Sequence, residues 1–386
     1  MLRKACAVLC AAVLFLALAA EAAFAFTPAP GPLFNNPRGT QQARQRILHN
    51  IIATIGSTPR FSTIQIAAYS FDRKDIADAL IAAHRRAVNV QLVLNDNWSS
   101  PAAHHLERVL GTDPDQRSFV SVCHGSCRGG AGNQHMKFYL FTKAGRARNV
   151  VMTGSANPTG YAAVNQWNDM YTVVNNRPML DLYSMVFEQL ARDTRVKNPF
   201  ITKTIGTITN IFYPHPGTTR ANDPVMQRLD KVRCAAPAGT GSAGHTVIRI
   251  IMYGWVGSRG LYLADKVADL DRAGCDVRVI LSSGGQQVVG HLQRGGVLVK
   301  SADLEPTTTP NADNGETYLL FTHEKWMILD GGYADGDGAY VWTGSENWSN
   351  MSVNNDEVDM RIHRRQAFAQ YLANFDYIWT YHSRWL

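Results

Sequence analysis

The chain is written twice, and that repeat constrains its fold more than any other feature. One copy opens with LFNNPRG near Phe34 and a helical stretch, QQARQRILHNIIATIG. The other opens with IFYPHPG near Phe212 and then DPVMQRLDKVRC. An apolar strand follows in each, IQIAAYSF and IRIIMYGW, with Tyr69 and Tyr253 in matching places. A helix comes next, KDIADALIAAHRRA or RGLYLADKVADLDRAG, and then a branched-residue strand, VNVQLVLND or CDVRVILSS. Strand, helix, strand in this order predicts parallel β-α-β units. Apolar residues at spacings of three and four give each helix a face that can cover a sheet. The expected class is α/β, with two similar α/β/α sandwich domains. A chain of 386 residues, 45% of them hydrophobic, can bury two such cores.

A looser polar region then spans roughly 99–133 in one copy and 284–315 in the other. Long loops of this kind tend to line a site or run over the surface. After them come NQHMKFYLFT and VVMTGSAN in copy one, and THEKWMILDG and YVWTGSEN in copy two. Tyr69 and Tyr253, His135 and His323, and Gly154 and Gly344 fall at nearly one offset, which chance would not maintain. The expected domains are 30–200 and 208–386. KNPFITKTIGTITN, which lacks clear periodicity, joins them, and APAGTGSAGH reads as a flexible insertion.

The N-terminus has a short basic start, an apolar run from Ala5 to Ala20, and small residues near Ala23 and Ala25. This pattern predicts a secretory signal peptide over 1–25 and a secreted protein. A membrane anchor is the rival, but the run is short for a span and Glu21 ends it. Export permits oxidation of Cys123, Cys127, Cys234 and Cys275. Four cysteines allow three pairings; Cys123 with Cys127 and Cys234 with Cys275 is the expected one. Zinc held by Cys123, His124 and Cys127 is the alternative, though it lacks a second close pair of ligands.

In an extended chain residues two apart face one way, so His135 sides with Lys137 and His323 with Lys325. A lysine inside so apolar a run needs a partner. Gly-Ser-x-Asn follows each pair: Gly154, Ser155 and Asn157, then Gly344, Ser345 and Asn347. Glycine there would admit a close approach of backbone to ligand, while Ser and Asn supply hydrogen-bond donors. Two lysines converging on one phosphoryl group would offset its charge. Each contributes roughly 4 kcal/mol at 4 Å and an effective dielectric near 20. A neutral imidazole can attack phosphorus, and a second, protonated one can donate to the leaving alcohol. Because the lysines carry the compensating charge, this scheme calls for no cofactor and no metal. ADGDG at 334–338 lacks the ligand spacing of a calcium loop and reads as a hairpin or loop. Tyr69, Trp255 and Trp326 read as core residues.

His323, Lys325, Asp330, Gly344, Ser345 and Asn347 resemble the signature of the phospholipase D superfamily: His-x-Lys, four residues, Asp, then Gly-Ser-x-Asn. Copy one matches it through His135, Lys137, Ser155 and Asn157, with Thr142 at the aspartate position. The resemblance covers nearly the whole chain after the leader. It implies an internal pseudo-dimer with one shared active site and a monomeric protein. It further implies that an acid after each Gly-Ser-x-Asn supports the histidine of the other copy. By that rule Glu357, in Asn355-x-Glu357, orients His135, and Asp169, beside Asn168, orients His323. His135 is then the nucleophile and His323 the acid and base, while Asp330 is structural and begins a turn with Gly331. The implied substrate is a phospholipid such as phosphatidylcholine, with transient membrane-surface contact. Nucleic acid is the alternative substrate, which a net charge of +7 would suit. A phosphate-binding module that has lost turnover is the reading outside catalysis.

Overall fold

The computed structural model describes residues 26–302 and 319–386. The expected leader, 1–25, and the stretch LEPTTTPNADNG lie outside those residues. The first half runs β1 (Gly31–Phe34), α1 (Gln41–Gly56), β2 (Thr63–Ala68), α2 (Lys74–Arg85), β3 (Asn89–Asn95), α3 (Pro101–Leu110) and β4 (Phe119–Cys123). It continues with β5 (Phe138–Ala144), β6 (Ala147–Gly154), α4 (Gly160–Val164), β7 (Gln166–Trp167), β8 (Asp169–Val173) and α5 (Arg177–Ala191). The second half begins with a hairpin, β9 (Ile201–Ile205) and β10 (Ile208–Phe212). Next come α6 (Pro224–Asp230), β11 (Val232–Arg233), β12 (Val247–Trp255), α7 (Gly257–Arg272), β13 (Asp276–Gly284), α8 (Gln286–Arg294) and β14 (Leu298–Ser301). After the gap follow β15 (Phe321–Thr322), β16 (Lys325–Tyr333), β17 (Gly338–Gly344), β18 (Val358–His363), α9 (Arg365–Tyr381) and β19 (Arg384–Trp385).

The two main sheets share one plan. In the first the order is β1-β8-β6-β5-β2-β3-β4. In the second, β10-β18-β17-β16-β12-β13-β14 repeats that order, with β9 and β19 added at the ends. The β-α-β expectation holds for β2, β3 and β4, which are parallel. The strand that follows each histidine, however, inserts antiparallel, β5 beside β2 and β16 beside β12. Each sheet is therefore mixed rather than purely parallel. The regions read as loose each hold a helix and a third parallel strand, α3 with β4 and α8 with β14. PAAHHLERVL hides its short apolar stripe among alanines and histidines, but Ser100 caps it and Pro101 starts it. Asp223 and Pro224 do the same for α6.

Three cores result. One lies beneath α1, α2 and α3 in the first half, and a second beneath α7 and α8 in the other. The third lies between the halves and takes Phe138, Tyr183 and Phe187 from one and Trp326, Tyr371 and Phe375 from the other. Tyr183 meets Phe212 edge-on at 4.9 Å, and Phe34 meets Tyr371 likewise at 4.9 Å. With α5 and α9 on the inner faces, this is an internal pseudo-dimer of two α/β/α sandwiches.

Local expectations are refined in three places. KNPFITKTIGTITN supplies the β9–β10 hairpin, and β10 completes the second sheet against β18. APAGTGSAGH closes on itself through Ala235–His245 and Ser242–His245 bridges rather than standing as an open insertion. ADGDG is a hairpin tip whose Asp335 pairs with Lys231 and Arg361 and whose Asp337 pairs with Arg233. The disulfides are Cys123–Cys127 and Cys234–Cys275, so the first two thiols are committed to each other rather than to zinc. His124 is exposed and faces Asp96.

Because the central core belongs to both halves, neither can lose it alone. Phe138→Ala and Phe375→Ala, one from each half, should each cost about 3–5 kcal/mol. Denaturant unfolding should remain a single transition in both variants; two separated transitions would show that the halves fold independently.

Candidate active site

Each histidine is held by the opposite half. The His135 backbone N–H donates to the carbonyl of Asp356 at 2.9 Å, beside a parallel bridge between Gln134 and Asp356. The His323 N–H donates to the carbonyl of Trp167, also at 2.9 Å, next to the parallel pairing of β15 with β7. Chain segments that are far apart in sequence thus fix both imidazoles by main-chain bonds. Tyr69 packs edge-on against His135 with centroids 4.9 Å apart, and Tyr253 packs against His323 at 4.8 Å. Lys137 donates to the carbonyl of His135 and Lys325 to that of His323, each at 2.6 Å. Their ammonium groups also lie over Tyr69 and Tyr253, at 5.4 and 4.8 Å.

Behind the rings the two copies differ. His135 Nδ1 lies 2.8 and 2.9 Å from the oxygens of Glu357, as expected. A carboxylate there can only accept, so the ring carries its proton on Nδ1 and turns Nε2 outward. Ser345 Oγ donates to the same carboxylate at 2.5 Å. His323 does not use Asp169. Its Nδ1 lies 3.1 Å from Asn168 Oδ1 and 3.1 Å from the Ser155 carbonyl. The reason is register. The Ser155 hydroxyl accepts from the Asp169 N–H and donates to Asn168, just as the Ser345 hydroxyl accepts from the Val358 N–H and donates to Glu357. Asn168 is therefore the counterpart of Glu357, and Gln166 of Asn355, with no slip. Asp169 points into the interface, where Thr343 and the Tyr371 hydroxyl donate to it.

The Gly-Ser-x-Asn residues serve separate purposes. A Cβ on Gly154 would lie 2.3 Å from the Asp169 carbonyl, and one on Gly344 1.9 Å from that of Val358. These glycines admit backbone against backbone, not backbone against ligand as expected from sequence. Asn157 Oδ1 accepts from the Ser70 N–H at 3.4 Å and Asn347 Oδ1 from the Gly254 N–H at 3.0 Å, leaving the amide nitrogens for the cavity. Asp330 begins no turn. It stays within β16 and pairs with Arg365 at the start of α9. Thr142 holds the matching strand position and accepts from the Thr63 N–H at 2.9 Å. Both residues are structural, so the threonine leaves the site intact.

His135, His323, Asn157 and Asn347 line one cavity of about 560 Å³, together with Tyr69, Tyr253 and Asn355. Lys137 and Lys325 are buried just behind it. Burial holds the His135 imidazole down at about 4, with Glu357 pulling it up and Lys137 and Lys325 pushing it further down. Burial, then Lys325, Lys137 and His135, hold His323 well below the usual imidazole range. Burial takes Lys137 down to about 7, against the pull of Glu357. Lys325 is lowered by burial and then by Lys137. Burial pushes Glu357 up, but His135, Lys137 and Ser345 more than offset it and keep it an anion. The cavity thus gathers basic groups whose charged forms burial and mutual repulsion disfavour. A phosphoryl anion would reverse the penalties that burial and mutual repulsion impose.

The PLD-like domain of cardiolipin synthase matches the chain twice, over 51–191 and 241–379. The chain belongs to the phospholipase D-like family. No curated protein matches it. Among solved structures, polyphosphate kinase from Porphyromonas gingivalis aligns with a TM-score of 0.59 at 12% identity, over 89% of this chain and 46% of that one. The chain thus spans less than half the length of that enzyme. Phosphatidylserine synthase from Haemophilus influenzae aligns with a TM-score of 0.56 at 12% identity, over 93% of this chain and 90% of that one. At such identities the likeness is one of fold.

Within this phospholipase D-like frame, sequence reasoning missed Asn168 and misplaced Tyr69. Tyr69 and Tyr253 carried a signal, since both copies place a tyrosine at the same point. Trp255 and Trp326 are core residues, as expected. Asn168 was concealed because an amide does not look like the counterpart of a carboxylate.

The lowered Lys137 gives two pH-dependent expectations. The unfolded chain takes up a proton that the folded site resists, so the free protein gains stability as pH rises from about 7 toward the ordinary lysine range. Binding of diethyl phosphate, whose single charge is constant over this range, should run the other way. Its stabilising shift in Tm should be larger at about pH 6, where Lys137 is charged, than at about pH 8.5. Equal shifts at both values would show that the buried lysines keep their protons throughout.

Proposed function

We propose that this protein is a phosphodiesterase of the phospholipase D type, acting on phospholipid through a phosphohistidine at His135. His135 Nε2 attacks phosphorus while the bond to the leaving alcohol breaks, and that oxygen takes the proton from His323 Nε2. Water, or a second alcohol, then gives its proton to His323 as its oxygen attacks and the phosphorus–nitrogen bond breaks. Lys137, Lys325 and the amides of Asn157 and Asn347 offset the charge of the phosphoryl oxygens. Glu357 stabilises the positive charge that develops on His135 as it attacks. The observation that carries this reading is the meeting of both imidazoles and both motif asparagines, from different halves, in one cavity.

The lipid assignment rests on the rim. Trp98, Tyr161 and Met351 line the same cavity yet are 54%, 38% and 60% exposed. Apolar side chains left in water around a cavity of basic groups suit a substrate with a phosphodiester head and an apolar body. The positive net charge favours a nucleic-acid substrate as a second reading. Export is part of the proposal, supported by the leader-like N-terminus and by two disulfides.

Choline release from phosphatidylcholine vesicles, with a chelator present, should exceed cleavage of plasmid DNA; the opposite order would make the protein a nuclease. His135→Ala should lower turnover about a thousandfold, and His323→Ala by about 10²–10⁴. With a diester carrying a good leaving group, His323→Ala should accumulate acid-labile phosphoprotein and His135→Ala none. Full activity in both variants would overturn the mechanism.

A further inference from the structure

The two sides of the cavity present the same histidine, tyrosine and motif asparagine, but they differ behind the imidazoles. Glu357 and Asn168 hold equivalent positions, each taking the hydroxyl of a motif serine and each facing an Nδ1 of the other half. The orientation of the Asn168 amide is fixed by its surroundings. Its Nδ2 donates to the Ala162 carbonyl at 3.1 Å and faces Gln166 Oε1 at 3.4 Å. Oδ1 must therefore face His323, and His323 must carry its resting proton on Nδ1. Both rings thus present Nε2 to the cavity, but only one has an anion behind it.

We propose that Asn168 is the positioning residue of His323, and that its neutral amide, set against the Glu357 carboxylate, divides the work of the two imidazoles. His135 attacks phosphorus, and His323 exchanges protons with the substrate oxygens. The assignment rests on the phosphohistidine reading and gives it a cause within this chain.

The argument is one of charge. Attack on phosphorus leaves a positive ring, which a carboxylate stabilises and an amide does not. A ring that must release its proton to a leaving oxygen, and later accept one from water, is hindered by an anion that would hold that proton. The oxygen of an amide orients such a ring without holding its charge. The other groups around His323 are Lys325 and Glu324 on its own segment, Lys137 and His135 just ahead of β5, and Asp169 on β8. Both lysines and His135 oppose a charge on His323. Burial raises Glu324 to about 8, Asp169 is taken up by the Thr343 and Tyr371 hydroxyls, and the His323 Nδ1 meets only the Ser155 carbonyl and Asn168, so neither carboxylate is bonded to the ring. A bound phosphodiester is then the anion that supports the protonated form, which ties proton donation to substrate occupancy.

The test follows the His323 ring by NMR in ¹³Cε1-histidine-labelled protein, assigned with His323→Ala, alongside the pH dependence of kcat/KM. Asn168→Asp should raise the His323 titration by about 1–3 pH units and move the alkaline fall in kcat/KM upward with it. Asn168→Ala keeps the Ser155 carbonyl as an acceptor and removes no charge. It should leave the titration within about half a unit while lowering kcat about 10–100-fold, the usual cost of losing an orienting partner. A titration that does not rise in Asn168→Asp overturns the proposal. So does one that falls by a unit or more in Asn168→Ala, since the amide would then be stabilising the charged ring; this variant also decides the matter if the aspartate variant does not fold. A titration that moves while the pH–rate limb stays fixed overturns the division of labour. Failure to trap phosphohistidine in wild-type protein that still shows these titrations would instead count against the phosphohistidine reading.

Discussion

Each half of this protein holds the other half's histidine by its main chain. The His135 N–H needs the Asp356 carbonyl, and the His323 N–H needs that of Trp167. Main-chain bonds of this kind do not depend on which side chains surround them, so the two imidazoles converge wherever the halves dock. Docking is in turn secured by the core that the halves share, in which Phe138 and Tyr183 pack with Phe212, Trp326 and Tyr371. The site is thus a product of the interface. Neither sheet contains it alone.

That geometry explains a costly feature of the site. Lys137 and Lys325 are almost fully buried, in a region where an ammonium group is ordinarily unstable. Each is held by a carbonyl two residues back and by a tyrosine face, and the Glu357 carboxylate acts on both. The fold tolerates a site that repels its own charge because the surrounding apolar core supplies the stability. The same tension makes the cavity selective for an anion, since only an anion relieves it.

The near-symmetry of the halves separates what the site requires from what it can vary. Gly154 and Gly344 are both needed because a neighbouring strand passes where a Cβ would sit. The aspartate-to-threonine difference at Asp330 and Thr142 is tolerated because neither side chain reaches the cavity: one pairs with Arg365, the other accepts from a neighbouring strand. The difference between Glu357 and Asn168 is of another kind. It lies directly behind the imidazoles and changes their electrostatics without disturbing their placement.

Much of this was legible in the sequence. The repeat, the α/β class, the two His-x-Lys pairs and the paired Gly-Ser-x-Asn motifs are all local patterns, set by side-chain periodicity and residue type, and so can be read along the chain. The support of His135 by Glu357 was legible through the resemblance. The support of His323 by Asn168 in place of Asp169 was not, because it depends on which residue of NQWNDM the strand register turns toward Ser155. Nor could the sequence place Tyr69 against an imidazole, or show that the motif glycines admit a strand rather than a ligand. Those outcomes were decided by strand register and by the docking of the halves, which set distances between residues far apart in the chain. Periodicity tells which way a side chain faces along its own strand, but only tertiary structure tells what it meets there.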